Sequence, residues 1–186
     1  MKKILIGISS PNNSTSRSAI ATLVEEFNVE HINMRQPLIN MIATLTNMEP
    51  VHQEFSCSPQ ALVEGLGISI AELEARLAFN LRTIKSNFFI TRCAESIAIS
   101  NSGFNGQLFN GHIISGINTE LEAQWLRDHG GVMVHLYNYE DQSQFHALHE
   151  IDGDLICIID TNTRSQQLTA TIAGIKAVLS QQKQAA

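Results

Sequence analysis

The first 27 residues, MKKILIGISSPNNSTSRSAIATLVEEF, restrict this chain more than any other stretch. Ile4, Leu5, Ile6 and Ile8 make a short apolar run, whereas Ile20, Leu23, Val24 and Phe27 recur at helical spacing. The hydrophobic period therefore switches from two to 3.6, predicting a buried strand, a polar loop and an amphipathic helix. A strand feeding a helix in this way begins a βαβ unit, and such units build parallel sheets. The connecting residues 9–18, Ser-Ser-Pro-Asn-Asn-Ser-Thr-Ser-Arg-Ser, are rich in hydroxyls and are expected to be loop.

In many nucleotide enzymes this turn reads GxxxxGK[ST], where glycines let main-chain N–H groups wrap a phosphate and lysine neutralises it. Here the position is right and the residues are not. Counted without gaps from Gly7, the glycines fall on Ser10 and Thr15 and the lysine on Ser16; moved by one, Arg17 takes the lysine's place and Ser18 that of the magnesium-binding hydroxyl. The candidate anion-binding set is thus Ser10, Asn13, Ser14, Thr15, Ser16, Arg17 and Ser18. The plain alternative is an ordinary polar loop closed by a Ser or Thr cap.

Composition narrows the classes further. A chain of 186 residues suits one domain, and 44% apolar with 16% charged residues is globular composition. A net charge of −6 and the lack of any basic run argue against a nucleic-acid face. The three cysteines, Cys57, Cys93 and Cys157, are far apart and outside zinc or disulfide spacing, so reduced, inert thiols in the cytoplasm are expected. The N-terminal apolar run is too short for a signal peptide or a membrane span, and no membrane partner is expected.

Further along, residues 28–33 read as a strand, and Pro37 opens a helix to about Met48 with a stripe of Leu38, Met41, Ile42 and Leu45. Ser58-Pro59 begins another helix, Ser69 and Glu72 form a capping-box pattern, and residues 83–100 are again helical. Three apolar strands follow at 112–117, 132–137 and 155–159, with a helix from Thr119 (capping partner Glu122) to Gly131 between the first two. Leu168, Ile172, Ile175 and Leu179 mark a closing helix. Five strands alternating with helices predict an α/β fold, a mainly parallel sheet with helices on both faces. Ligands in such sheets bind at the carboxyl ends of the strands.

At those strand ends the chain resembles the phage-type deoxynucleoside monophosphate kinases, a branch of the P-loop nucleotide kinases. Gln36-Pro37-Leu38 looks like that family's D-P-L, and residues 58–67 (SPQALVEGLG) look like its T-P-R-x-L-L-Q-x-L-G. Residues 113–123 (IISGINTELEA) are similar to its I-S-D-V-R-F-x-N-E-A; Gly130-Gly131 and Asn162 also fit. The resemblance implies a three-layer P-loop kinase-like fold with a five-stranded sheet, a single domain over 1–186 with a helical, lid-like insertion at about 47–110, and a phage or prophage setting. It also implies a substrate side formed by Gln36, Gln60 and Asn118. The departures are of one chemical kind. Ser16 stands for the loop lysine, Gln60 for the arginine of T-P-R, Glu64 for the glutamine of that motif, Gly116 and Asn118 for the aspartate and arginine of D-V-R, and Gln36 for an aspartate. Phosphoryl transfer needs cations on the equatorial oxygens and a carboxylate-held magnesium.

The expectation is therefore a degenerate, non-catalytic relative, a pseudoenzyme with residual nucleotide or anion binding or a protein-partner role. The alternative is an active nucleoside monophosphate kinase using ATP and Mg2+, with Arg17 in the phosphate loop and Asp160, after the apolar run 155–159, holding the metal. A structural protein that binds no nucleotide is the third reading, and a homodimer is a candidate assembly. No cofactor follows from the residues alone. His146 and His149 lack further ligands at zinc spacing, with Glu150 and Asp152 read as surface loop, and Trp125 reads as core.

Overall fold

Strand β1 (Ile4–Ser9) points Ile6 and Ile8 to one side and Gly7 to the other, the period-two alternation of a pleated strand. In the computed structural model, residues 3–10, 13–47, 62–63, 65–102, 109–138, 148, 150–159 and 164–184 are described. The chain divides into two compact units, Met1–Asn33 with Ser96–Ala186, and Met34–Glu95.

In the first unit β1 joins β2 (Glu30–Asn33), β3 (Gly111–Ser115), β4 (Val132–Asn138) and β5 (Leu155–Ile159). They form one five-stranded sheet in the order β2-β3-β1-β4-β5, every pair parallel. On one face, Ile6, Ile8, Ile113, Val132, Val134, Leu136 and Cys157 pack with Ala19, Ile20, Leu23 and Phe27 of α1 (Asn13–Phe27). Leu168 and Ile175 of α6 (Arg164–Gln184) complete that layer. Each fully buried Ile or Leu contributes roughly 1.5–3 kcal/mol. The opposite face is covered by α5 (Glu120–Asp128): a Cβ added to Gly7 would meet Met133 Sδ at 2.6 Å and Leu126 Cδ1 at 2.8 Å. The result is a three-layer α/β arrangement, an all-parallel sheet with helices on both faces. Among the described residues no helix is long and apolar enough to cross a membrane.

The second unit holds α2 (Gln36–Thr46), α3 (Ile70–Ile84) and the first part of α4 (Phe88–Asn101), which runs on into the first unit. Ser69 caps α3 by accepting from the Glu72 N–H, as its sequence pattern predicts. Arg35 pairs with Glu74 at 2.7 Å, and the Arg82 guanidinium lies 4.8 Å from the Phe89 ring centre.

Several boundaries differ from expectation for identifiable reasons. Helix α1 starts at Asn13, so residues 13–18, expected as loop, are its first turns; Asn, Ser and Thr favour helix starts as well as loops, and the apolar stripe only begins deeper in. The expected stripe of α2 includes Leu45, which is 62% exposed, while Ala43 is buried in its stead. The helix expected over 83–100 is interrupted, because Lys85 takes an extended conformation between α3 and α4. Strand β3 ends at Ser115, two residues before the predicted end, as Gly116 turns with φ of 76°. The start of the helix predicted from Ser58-Pro59, with Cys57, His146 and His149, lies outside the described residues; toward its expected end the chain is not helical, for Leu62 bridges Ser69 and the Val63 N–H donates to the Ile68 carbonyl around a turn with Gly65 and Gly67 at positive φ.

At the amino end of the sheet His112 is buried, with Nε2 3.1 Å from Asn101 Oδ1 and Nδ1 3.6 Å from Glu30 Oε2. Burial lowers its pKa more than the nearby Glu30 raises it, and Lys3 adds to the lowering. The folded chain thus binds a proton here less readily than the unfolded chain, so acidification below the ordinary imidazole range favours unfolding. Urea denaturation should show stability falling from pH 7 to pH 5, with a shallower fall in His112→Gln. Gly111→Ala should destabilise by about 3 kcal/mol in the same assay, since its Cβ would sit 1.9 Å from the Ile4 main-chain oxygen, which cannot swing aside.

Candidate functional site

Parallel strands end together, so strand order decides which residues meet at the carboxyl edge. β1 ends at Ser9 and has β3 and β4 as its sheet neighbours. β3 ends at Ser115 and β4 at Asn138. The register pairs Gly7 with Ile114 and Asn33 with Ser115, which sets Ser115 at the rim between β1 and β2. There the Ser115 hydroxyl lies 2.8 Å from Nε2 of the exposed His31.

Of the candidate anion-binding residues, Ser10 directly follows β1 and is half-buried. Asn13, Ser14, Thr15 and Ser16 belong by main chain to the first turn of α1. Only three residues separate the end of β1 from that helix, where a loop of about ten was expected. Arg17 is partly buried one turn into α1, and Ser18 is exposed, its carbonyl accepting from the Thr22 hydroxyl at 3.0 Å. Of the residues expected on the substrate side, Asn118 follows β3, and its main-chain N–H donates to Glu122 Oε2 at 2.9 Å. Gln36 belongs to the second unit, where its amide donates to Asn40 Oδ1 at 3.0 Å. Gln60 and Asp160 lie outside the described residues. Strand β5, which Asp160 follows, is separated from β1 by β4, roughly 10 Å across two strand spacings.

Glu120 and Glu122 are the first acidic residues after the β3 end; Glu120 accepts from Arg127, and the carboxylate of Glu122 is engaged as well. It accepts from the Asn118 and Thr119 N–H groups while Thr119 Oγ1 accepts from the Glu122 N–H, a complete capping box. Among the described residues, the end of β3 beside β1 thus carries the Ser115 hydroxyl and, after it, Asn118, with no unengaged carboxylate between them. Nor do the described residues contain any group of three or more His, Cys, Asp or Glu arranged to hold a metal.

A buried charge cluster was not evident from the sequence. Arg127 of α5 donates to both Asp154 oxygens, at 3.1 and 2.6 Å, and to Glu120 at 2.7 Å; His135 of β4, fully buried, lies 2.9 Å from Asp154 Oδ2. Burial alone would raise the Asp154 pKa, but hydrogen bonds from Arg127, His135 and the Ile151 N–H outweigh it and hold the carboxyl below its usual range. These groups bond one another and join α5 to the sheet, so we read them as structural. Trp125, expected as core, is half-buried, with its ring 5.0 Å from that of His129. Cys93 and Cys157 are free and buried; burial pushes the Cys93 thiol up to about 12, which leaves it unreactive.

The fold is thus that of an α/β protein with a five-stranded, all-parallel sheet. No family model matches the chain and no curated protein matches it. Among solved structures it is similar to a dephospho-CoA kinase from Campylobacter jejuni, at 11% identity and a TM-score of 0.41, over 92% of this chain and 96% of that one.

Asp154→Asn leaves the Arg127 cation beside a neutral amide and should cost about 3 kcal/mol. Because the folded carboxyl has the lower pKa, its stabilisation is present above the ordinary carboxylate range and is lost as pH falls below it. Urea titrations at pH 5 and pH 3 should therefore show a smaller acid loss in the variant than in the parent.

Proposed function

We propose that this chain is a non-catalytic relative of the P-loop nucleotide kinases, built on a deoxynucleoside monophosphate kinase-like plan, that retains weak nucleotide or anion binding at the start of α1. The observation that carries this reading is the pair of strand ends beside β1. A kinase of this type holds its magnesium on a carboxylate close to the phosphate loop. Among the described residues Ser115 ends β3 beside β1, and the residue of β4 level with Ser9 is His135, which is engaged with Asp154.

Three further features support it. The β1–α1 connection is short, and none of its residues, Ser10, Pro11 and Asn12, is a glycine that would let the main chain wrap closely around a phosphate. Arg17 leaves α1 about 6 Å beyond Asn13, at 1.5 Å of rise per residue, rather than at the mouth of the helix. The main-chain N–H groups of the first helical turn still favour an anion without any lysine. Uses that need no turnover, a bound nucleotide read out by a protein partner among them, accord with these features.

The test is a coupled assay of ATP-dependent phosphorylation across the common deoxynucleoside monophosphates with magnesium present. We expect no phosphorylation above the enzyme-free control. Turnover that disappears on Arg17→Ala would overturn the proposal and establish Arg17 as the phosphate-gripping residue of an active kinase.

A further inference from the structure

The contact between Ser115 and His31 joins two residues 84 apart in sequence, and it lies at the edge of the sheet where open parallel sheets do their chemistry. Ser115 is the last residue of β3 and is largely buried, at 9% exposure, and Gly116 with φ of 76° turns the chain directly after it. His31 belongs to β2, an edge strand, and is exposed, so its imidazole can exchange protons with water. A hydroxyl within hydrogen-bond reach of an imidazole is the minimal arrangement for an activated serine nucleophile.

We propose that Ser115 and His31 are a nucleophile and general base acting on small esters, a reaction that needs neither metal nor nucleotide. Ser115 Oγ attacks the ester carbonyl carbon as its proton passes to His31 Nε2. The bond from that carbon to the alcohol oxygen then breaks, and His31 returns the proton to the departing alcohol. Water, deprotonated in turn by His31, hydrolyses the acyl-serine, releases the acid and restores the hydroxyl. The step is independent of nucleotide binding, so the failure of either proposal leaves the other standing.

A fluorophosphonate probe tests the pair without knowledge of the natural ester, because Ser115 Oγ would displace fluoride and gain one phosphonyl group. Intact-mass and peptide analysis of the full chain should show a single adduct on Ser115. His31→Gln, which keeps a polar side chain at the position, should slow labelling at least tenfold while circular dichroism remains that of the parent. Ser115→Ala should abolish the adduct, and hydrolysis of p-nitrophenyl acetate should fall in parallel in both variants. If the bond serves only to tie β2 to β3, the folded parent will not be labelled. No adduct, an adduct on another residue, or an unchanged rate in folded His31→Gln would each overturn the proposal, whether or not Ser115→Ala folds.

Discussion

Everything in the first unit depends on β1 being enclosed on all sides. Its two edges are hydrogen-bonded to β3 and β4, and its faces are buried by α1 and α6 on one side and α5 on the other. Gly7 and Gly111 lie where a single added carbon would strike Leu126 or the main chain of Ile4. That closeness holds the strands in one register, and in a parallel sheet the register places the strand ends together. The chemistry at the carboxyl edge is therefore a consequence of packing far from it: whatever residue ends β3 stands beside the end of β1.

Among the described residues several charges are occupied in holding structure. Arg127 binds Asp154 and Glu120, and Glu122 closes the start of α5. Arg35 pairs with Glu74, and Lys176 of α6 reaches Glu26 of α1. The exposed pairs Arg76 with Glu72 and Arg92 with Glu95 add little to stability. Among the described residues the carboxyl edge includes Ser9, Ser10, His31, Asn33, Ser115 and Asn118, which can donate or accept hydrogen bonds. An edge of this composition suits a weakly held anion, or a reaction that moves protons rather than phosphoryl groups.

Much of this was legible in the sequence because most elements carry a local signature. The apolar runs of β1, β3, β4 and β5, the Thr119–Glu122 box and the stripe of α1 each follow from residues within a turn or two of one another. Boundaries failed where one residue type serves two purposes: Asn13 to Ser16 suit a loop as well as a helix start, and the Leu45 position suits a buried stripe on period alone. The site was harder. His31 and Ser115, like Arg127 and Asp154, are joined only by sheet order, and no local pattern announces a partner many residues away. The order itself is what separates β5 from β1. An apolar run ending in Asp looks the same in a neighbouring strand and in an edge strand.

The central proposal, that this chain binds a nucleotide only weakly and without a metal held on a carboxylate beside β1, is tested most directly by calorimetric titration of the protein with ATP in the presence and absence of magnesium. The account predicts weak binding whose affinity is unchanged by the cation. Binding tightened tenfold or more by magnesium would contradict it.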